Sequence, residues 1–286
     1  MSRIKQSSAA TIIALAWLAF FAPQADAKLN VRSAILMDVT SGHILFVQNA
    51  DAKIAPASLT KIMALYVALD HVKAGKAGLN DTVRVSKLAA EQKGSRMHLT
   101  AGERVTLERI IQGVAVSSGN DASVAMAEHL AGSSAAFVRL MNLKARELGM
   151  KNTTFRNPSG LPAEGQHTTA RDMLTLGKYY LKNHPEALRY HGIRQITHNG
   201  ALTTNKNPLF KTMPDADGLK TGWIRASGFN LVATGARNNH RLIGVVMGAP
   251  TPKAMGSESH RLMESGFNLV VGNEKIENGG ARRLSL

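Results

Sequence analysis

The chain has 286 residues, 44% of them hydrophobic and 19% charged, and contains no cysteine. That balance is globular and excludes a disordered, collagen-like or coiled-coil chain; the missing thiols exclude disulfides, thiolate zinc sites, iron–sulfur clusters and a cysteine nucleophile. Thirty-five Lys and Arg against twenty Asp and Glu leave a formal +15, which calls for an anionic partner: nucleic acid, a phospholipid surface or an acidic polymer.

At the N-terminus, Arg3 and Lys5 precede an apolar run from Ala9 to Ala22, interrupted by Thr11, and Ala25-Asp26-Ala27 follows. A basic start, a short apolar stretch and an A-x-A ending read as a secretory signal over residues 1–27, cleaved after Ala27. The run is shorter than the ~20 apolar residues of a spanning helix, which weighs against an uncleaved anchor. Export places the protein in the periplasm or cell wall and removes nucleic acid from the candidate partners.

Residues 28–272 carry no linker, repeat or low-complexity tract and read as one domain, followed by a short polar tail over 273–286. Val31–Asp38 and Ile44–Gln48 read as strands around Thr40-Ser41-Gly42, the turn chemistry of a hairpin. Ser58 to about Lys73 is apolar nearly all round, the mark of a helix inside a domain. Thr106 is placed to cap a helix bearing Leu107, Ile110, Ile111 and Val114, which runs into Ser118-Gly119-Asn120. A further helix spans Ser133 to Leu148 and ends at Gly149. Phe229–Thr234 and Arg241–Met247 form a second strand pair. Strands first, helices in the middle and strands last imply an α+β fold: an antiparallel sheet packed with helices, its first and last strands meeting.

The chemistry starts at Ser58-Leu59-Thr60-Lys61. At the head of a helix, Ser58 and Lys61 share one face, and the unpaired N–H groups there favour an alkoxide or oxyanion. Burial can lower a lysine's pKa until it serves as a neutral base toward a neighbouring hydroxyl. Alone the tetrapeptide is weak evidence, since Ser2-Arg3-Ile4-Lys5 also matches. Its company strengthens it: Ser118-Gly119-Asn120 stands sixty residues after Ser58, and Lys220-Thr221-Gly222, ahead of a strand, a hundred after Asn120. Ser-x-x-Lys, Ser-x-Asn and Lys-Thr-Gly in that order are the signature set of penicillin-recognising serine enzymes.

On these residues, and on the blocks Ser33–Asp38, Pro56–Met63, Ser117–Ala125, Lys151–Phe155, Thr169–Met173 and Ser227–Ala233, the chain resembles the low-molecular-mass penicillin-binding proteins, the serine-type D-alanyl-D-alanine carboxypeptidases. The likeness covers roughly residues 30 to 270. It implies a serine β-lactamase/D,D-peptidase-like fold: a five-stranded antiparallel sheet flanked by helices, plus a mostly helical lobe. It further implies that Ser58 attacks the penultimate D-Ala carbonyl, Lys61 takes its proton, and Ser118 with Lys220 passes a proton to the departing D-Ala. Asn120 would hold the peptide amide, Lys220 and Thr221 the terminal carboxylate, and the N–H groups of Ser58 and Trp223, beside Gly222, the oxyanion. The partners would be peptidoglycan pentapeptides or cross-linked muropeptides, with β-lactams as covalent inhibitors and anionic membrane or wall polymers as electrostatic neighbours. No metal and no cofactor is implied.

Two positions depart from the family pattern. Ile224 follows Trp223 where relatives often have Thr, and Met255, with Lys253 nearby, stands where relatives often have an Arg that helps hold the substrate carboxylate. These departures keep a D,D-endopeptidase of cross-links open beside the carboxypeptidase. A wall-binding or β-lactam-sensing protein without turnover is the non-enzymatic alternative. The ten histidines show no H-E-x-x-H and read as scattered surface residues; Glu164 lacks the neighbouring Asn of a class A β-lactamase; Arg171-Asp172 reads as an ion pair or helix-start contact.

Overall fold

β1 (Ser33–Asp38) and β2 (Ile44–Gln48) form the expected hairpin, antiparallel with Leu36 opposite Phe46. The computed structural model describes residues 28–274; the signal over 1–27 and the tail from residue 275 lie outside the described residues. A 3-10 turn, Ala57–Leu59, leads into α1 (Thr60–Lys73), where every residue from Thr60 to Leu69 is buried, as its all-round apolar sequence requires. β3 (Thr82–Arg84) and β4 (Arg104–Thr106) make a small ribbon around α2 (Lys87–Ala90). Thr106 Oγ1 accepts from Arg109 N at 3.3 Å and so caps α3 (Leu107–Gln112), which continues into a π-helical turn, Gly113–Ser117.

α4 (Asn120–Ala131) and α5 (Ser134–Glu147) follow, the latter capped by Ser133 and released through Gly149 at φ 76°. Next come α6 (Ala170–Asn183), α7 (Leu188–His191) and a second ribbon, β5 (Gln195–His198) with β6 (Ala201–Thr204). The chain ends with β7 (Ala216–Ile224), β8 (Gly228–Arg237), β9 (His240–Ala249) and α8 (Pro252–Glu274).

The five-stranded sheet is antiparallel with order β2-β1-β9-β8-β7, so the first and last strands do meet and β7 is an edge. Side chains alternate between two cores. Ile35, Met37, Val232, Ile243 and Val245 join the helices of the middle of the chain, α1 and α6 among them. Ala34, Leu36, Leu231, Leu242 and Val246 join Leu262, Met263 and Phe267 of α8 on the other face. Helices therefore cover both faces, and α2–α5 form the helical lobe beside them. No helix among the described residues is long and apolar enough to cross a membrane.

Two readings need correction. Lys220-Thr221-Gly222 lies inside β7, with Lys220 opposite Val232, rather than ahead of a strand. His184 and His191 are fully buried rather than on the surface: His184 sits 2.7 Å from Asp70 and 3.1 Å from Glu186 through its two ring nitrogens. Arg171 and Asp172 split the work expected of them: Arg171 grips Asp51 through two bonds of 2.7 and 2.9 Å, while Asp172 accepts from Asn152 N and Thr153 Oγ1.

Candidate active site

Ser58 is presented by a strained turn. Ala57, just before it, has φ +48°, a left-handed conformation that costs a non-glycine residue roughly 1 kcal/mol or more. The loop Asn157–Leu161 holds that turn down: Asn157 Oδ1 accepts from Gly160 N (2.7 Å) and Ser159 Oγ (3.1 Å). Gly160, at φ +82°, passes so close that a Cβ there would lie 1.8 Å from Ala57 O. From the other side β7 presses in, since a Cβ on Gly222 would stand 3.0 Å from Ser58 N. Only glycine fits at position 160, and a side chain at 222 would have to push the turn back by a few tenths of an ångström.

Lys61, one turn into the helix, is fully buried with Nζ 3.0 Å from Ser58 Oγ, 2.8 Å from Asn120 Oδ1 and 2.6 Å from Ser159 O. The Asn120 amide is oriented by its own Nδ2, which donates to Lys93 O at 2.6 Å. Burial first, then the positive charge of Lys220, pushes the Lys61 pKa well below the usual lysine value, against the opposing pull of Asp121. A neutral Lys61 has two N–H donors and one lone pair. Asn120 Oδ1 and Ser159 O can only accept, so they take the two donors, and the lone pair is left facing the Ser58 hydroxyl. That is the geometry of a base poised on a nucleophile.

Ser118 follows the π-helical turn in a left-handed conformation, φ 55°, and lines the cavity beside Ser58. Asp121 anchors this turn. It is fully buried and accepts from Met97 N at 2.9 Å, Leu99 N at 3.1 Å and Ala122 N at 2.9 Å, while Asn120 N donates to Ser95 O at 2.8 Å. The segment Lys93–Leu99 is thereby stitched to the head of α4.

The third wall is β7. A cavity of about 440 Å³ is lined by Ser58, Ser118, Thr221, Gly222 and Trp223 together with Ser95, Lys206, Phe229, Pro252 and Met255. Lys220 is 3% exposed, donates to Thr221 O at 3.1 Å, and has its pKa lowered to about 7 by burial and then by the charge of Lys206. Of the eight residues singled out from the sequence, Ser58, Ser118, Thr221, Gly222 and Trp223 line this cavity, and Lys61, Asn120 and Lys220 are buried next to them. Ser95 and Lys206 in the lining, and Ser159 and Asp121 behind it, were not anticipated. Glu164 is exposed and forms no part of its lining.

His191 supports β7 from behind: Nδ1 bonds Leu219 O at 3.0 Å and Nε2 lies 3.1 Å from Tyr180 Oη. Burial and then the Lys220 charge lower its pKa from 6.5 to about 4. The unfolded chain therefore binds a proton between these values that the folded chain refuses, and stability present above pH 6.5 is lost as pH falls toward 4. His191→Asn keeps a donor for Leu219 O and removes the titration. Denaturant midpoints at about pH 7.5 and about pH 4.5 should show the wild type losing about 2–3 kcal/mol more than the variant. Equal losses would refute this account of His191.

Comparison with known proteins agrees with this geometry. Residues 20–251 match the family model described as D-alanyl-D-alanine carboxypeptidase. The chain belongs to the D-alanyl-D-alanine carboxypeptidase family. Curated members include DacF of Bacillus subtilis, 37% identical over 93% of this chain and 75% of its own length, and DacC of Escherichia coli, 42% identical over 88% and 67%. Among solved structures, penicillin-binding protein 5 of Haemophilus influenzae superposes with a TM-score of 0.82 at 38% identity, covering 84% of this chain and 71% of its own. Penicillin-binding protein D2 of Listeria monocytogenes, solved in a cefotaxime-bound form, gives 0.77 at 29% identity, covering 84% and 98%. As a member of the carboxypeptidase family the chain is a serine-type D,D-peptidase, a hydrolase of the bacterial cell wall.

Proposed function

We propose that residues 28–272 form an exported peptidase domain that removes the terminal D-Ala from peptidoglycan stem pentapeptides through an acyl-enzyme on Ser58. The observation that carries the assignment of roles is buried Lys61 Nζ, 3.0 Å from Ser58 Oγ and fixed there by the acceptors Asn120 Oδ1 and Ser159 O. Lys61 takes the Ser58 proton as Oγ bonds the penultimate D-Ala carbonyl carbon. The oxyanion is received by the N–H groups of Ser58 and Trp223, where β7 lies against the 3-10 turn. The C–N bond then breaks, and the D-Ala amine leaves with a proton passed through Ser118 and Lys220. Water adds to the ester, the acyl group departs as the shortened peptide, and Ser58 regains its proton. Asn120 positions the peptide amide, and Thr221, with Lys220 behind it, takes part in receiving the substrate's carboxylate, a group that needs a further cation in the cavity wall.

The Listeria relative solved with cefotaxime and ampicillin supports acylation of Ser58 by β-lactams. Removal of residues 1–27 takes away Arg3, Lys5 and Asp26 and leaves 33 Lys and Arg against 19 Asp and Glu. That surplus of +14 supports electrostatic association with anionic membrane or wall polymers, and the signal itself supports work in the periplasm or cell wall. The second reading, a D,D-endopeptidase of cross-links, draws on Met255 and Ile224.

The deciding experiment supplies the purified protein with a pentapeptide monomer and a cross-linked dimer. Free D-Ala from the monomer, absent in Ser58→Ala, is the expected result. Conversion of dimer to monomers without D-Ala release would establish the endopeptidase instead. Stoichiometric labelling by fluorescent penicillin without turnover of either would leave a sensor.

A further inference from the structure

Lys206 is the one charged side chain among the described residues lining the cavity; the rest of the wall is hydroxyls, Gly222 and apolar groups. It stands between β6 and β7 on a backbone fastened at both neighbours. Asn205 Nδ2 donates to His191 O and Ile193 O, both at 3.0 Å. Buried Asn207 donates from Nδ2 to Gly218 O at 3.1 Å and accepts from Leu209 N at 3.1 Å. From this fixed base Lys206 Nζ reaches across to Ser95 Oγ at 3.3 Å. Its charge acts on both Lys61 and Lys220 and disfavours their protonated forms.

Lys206 thus lines the cavity with no carboxylate among the described lining residues, while Lys61 and Lys220 are buried and form no part of the lining. The carboxylate whose field reaches Lys61 is Asp121, and its oxygens are occupied by backbone N–H groups on the far side of Asn120. Such a surplus of positive potential is unfavourable in the empty site and is relieved by an anion. The position expected to supply an Arg holds Met255, 5% exposed and uncharged, and neighbouring Lys253 is exposed and forms no part of the lining. The Lys206 loop abuts that position: a Cβ on Gly256, next to Met255, would lie 3.2 Å from Pro208 Cβ.

We propose that Lys206 is the cation that receives the free carboxylate of the terminal D-Ala, and that it makes the site select carboxylate-terminated peptides from a different structural element than the Arg position. This rests on the D,D-peptidase reading above and adds a specificity-determining residue to it. Lys206 is exposed to solvent and lines the cavity with Thr221 of β7, so the carboxylate meets it as the peptide settles along that strand. Ser95 holds the amine in place until then.

The test uses N-acylated Lys-D-Ala-D-Ala and its terminal carboxamide with the wild type, Lys206→Met, Lys206→Arg, and Lys206→Met combined with Met255→Arg. For the carboxylate substrate, Lys206→Met should lose roughly 10–100-fold in kcat/KM, chiefly through KM. Lys206→Arg should stay within about threefold, and Met255→Arg should recover most of the loss. Turnover of the carboxamide, expected to be poor in the wild type, should not fall further in Lys206→Met. An unchanged kcat/KM in Lys206→Met overturns the proposal. So does an equal loss on both substrates with a shifted pH profile, which would mean that Lys206 acts only through Lys61 and Lys220. A wild type that releases no D-Ala would instead fail the D,D-peptidase reading itself.

Discussion

Lys61→Met is expected to lower kcat/KM for D-Ala release by roughly 10³–10⁴-fold while the protein still melts cooperatively. Methionine nearly matches lysine in volume, so the fully buried site stays filled. What disappears is the lone pair 3.0 Å from Ser58 Oγ and the two N–H groups that fix it there. The pH dependence gives a second check. Acylation needs Lys61 neutral, so activity in the wild type climbs as pH rises through its lowered pKa. In Lys61→Met that acid limb has no group to report and should vanish. Lys61→Arg should be as inactive as the methionine variant, because a guanidinium stays protonated and offers no lone pair. Retention of activity within tenfold in either variant would remove Lys61 from the role of base. The rate of fluorescent-penicillin labelling, measured beside D-Ala release, reports the same step.

Asp121→Ala is expected to destabilise the protein by about 3–5 kcal/mol and to abolish most of its activity at the same time. The carboxylate is the acceptor for Met97 N and Leu99 N, and it lies 3.9 Å from Arg96 Nε. Alanine leaves those buried donors unpaired and frees the Lys93–Leu99 segment from α4. That segment carries Lys93 O, which orients the Asn120 amide, and Ser95 O, which holds Asn120 N. Loosening it unseats the acceptor that keeps Lys61 aimed. Asp121→Asn separates the charge from the scaffold: one oxygen remains to accept, so more of the stability survives. Its lost negative charge no longer raises the Lys61 pKa, so the acid limb of the activity profile should move to lower pH. Urea midpoints and pH–rate profiles on the two variants measure both effects. A fully stable, fully active Asp121→Ala would show that the segment is held by other means.

Some of this architecture was legible because the chemistry restricts residue type. A nucleophile with a nearby amine, a polar turn and an edge strand require Ser-x-x-Lys, Ser-x-Asn and Lys-Thr-Gly, and a central helix requires apolar residues all round, as α1 has. Ser159 O was invisible, since every residue carries a carbonyl and only the fold decides which one meets Lys61. The strand character of Lys220-Thr221-Gly222 was hidden for a related reason. Lysine and glycine have little preference for strands, and the segment is held extended by pairing with Leu231 and Val232 of β8. The histidines misled because a polar residue is read as exposed unless its partner is known. His191 finds Leu219 O and Tyr180 Oη only after β7 and α6 have packed together.

By itself the sequence determined the nucleophile with its amine, the first and last strand pairs with the buried helix between them, and the absence of thiol chemistry, while the family was reached through its resemblance. The first three follow from composition, periodicity and short spacings along one chain. Tertiary structure decided the state of the amines and which cation serves the substrate. Burial inside an α1 enclosed on all sides lowers the Lys61 pKa, and Lys206 enters the site because two asparagines pin its loop beside β7. Burial and long-range electrostatics arise only when distant segments meet, so neither can be read from residues that are neighbours in sequence.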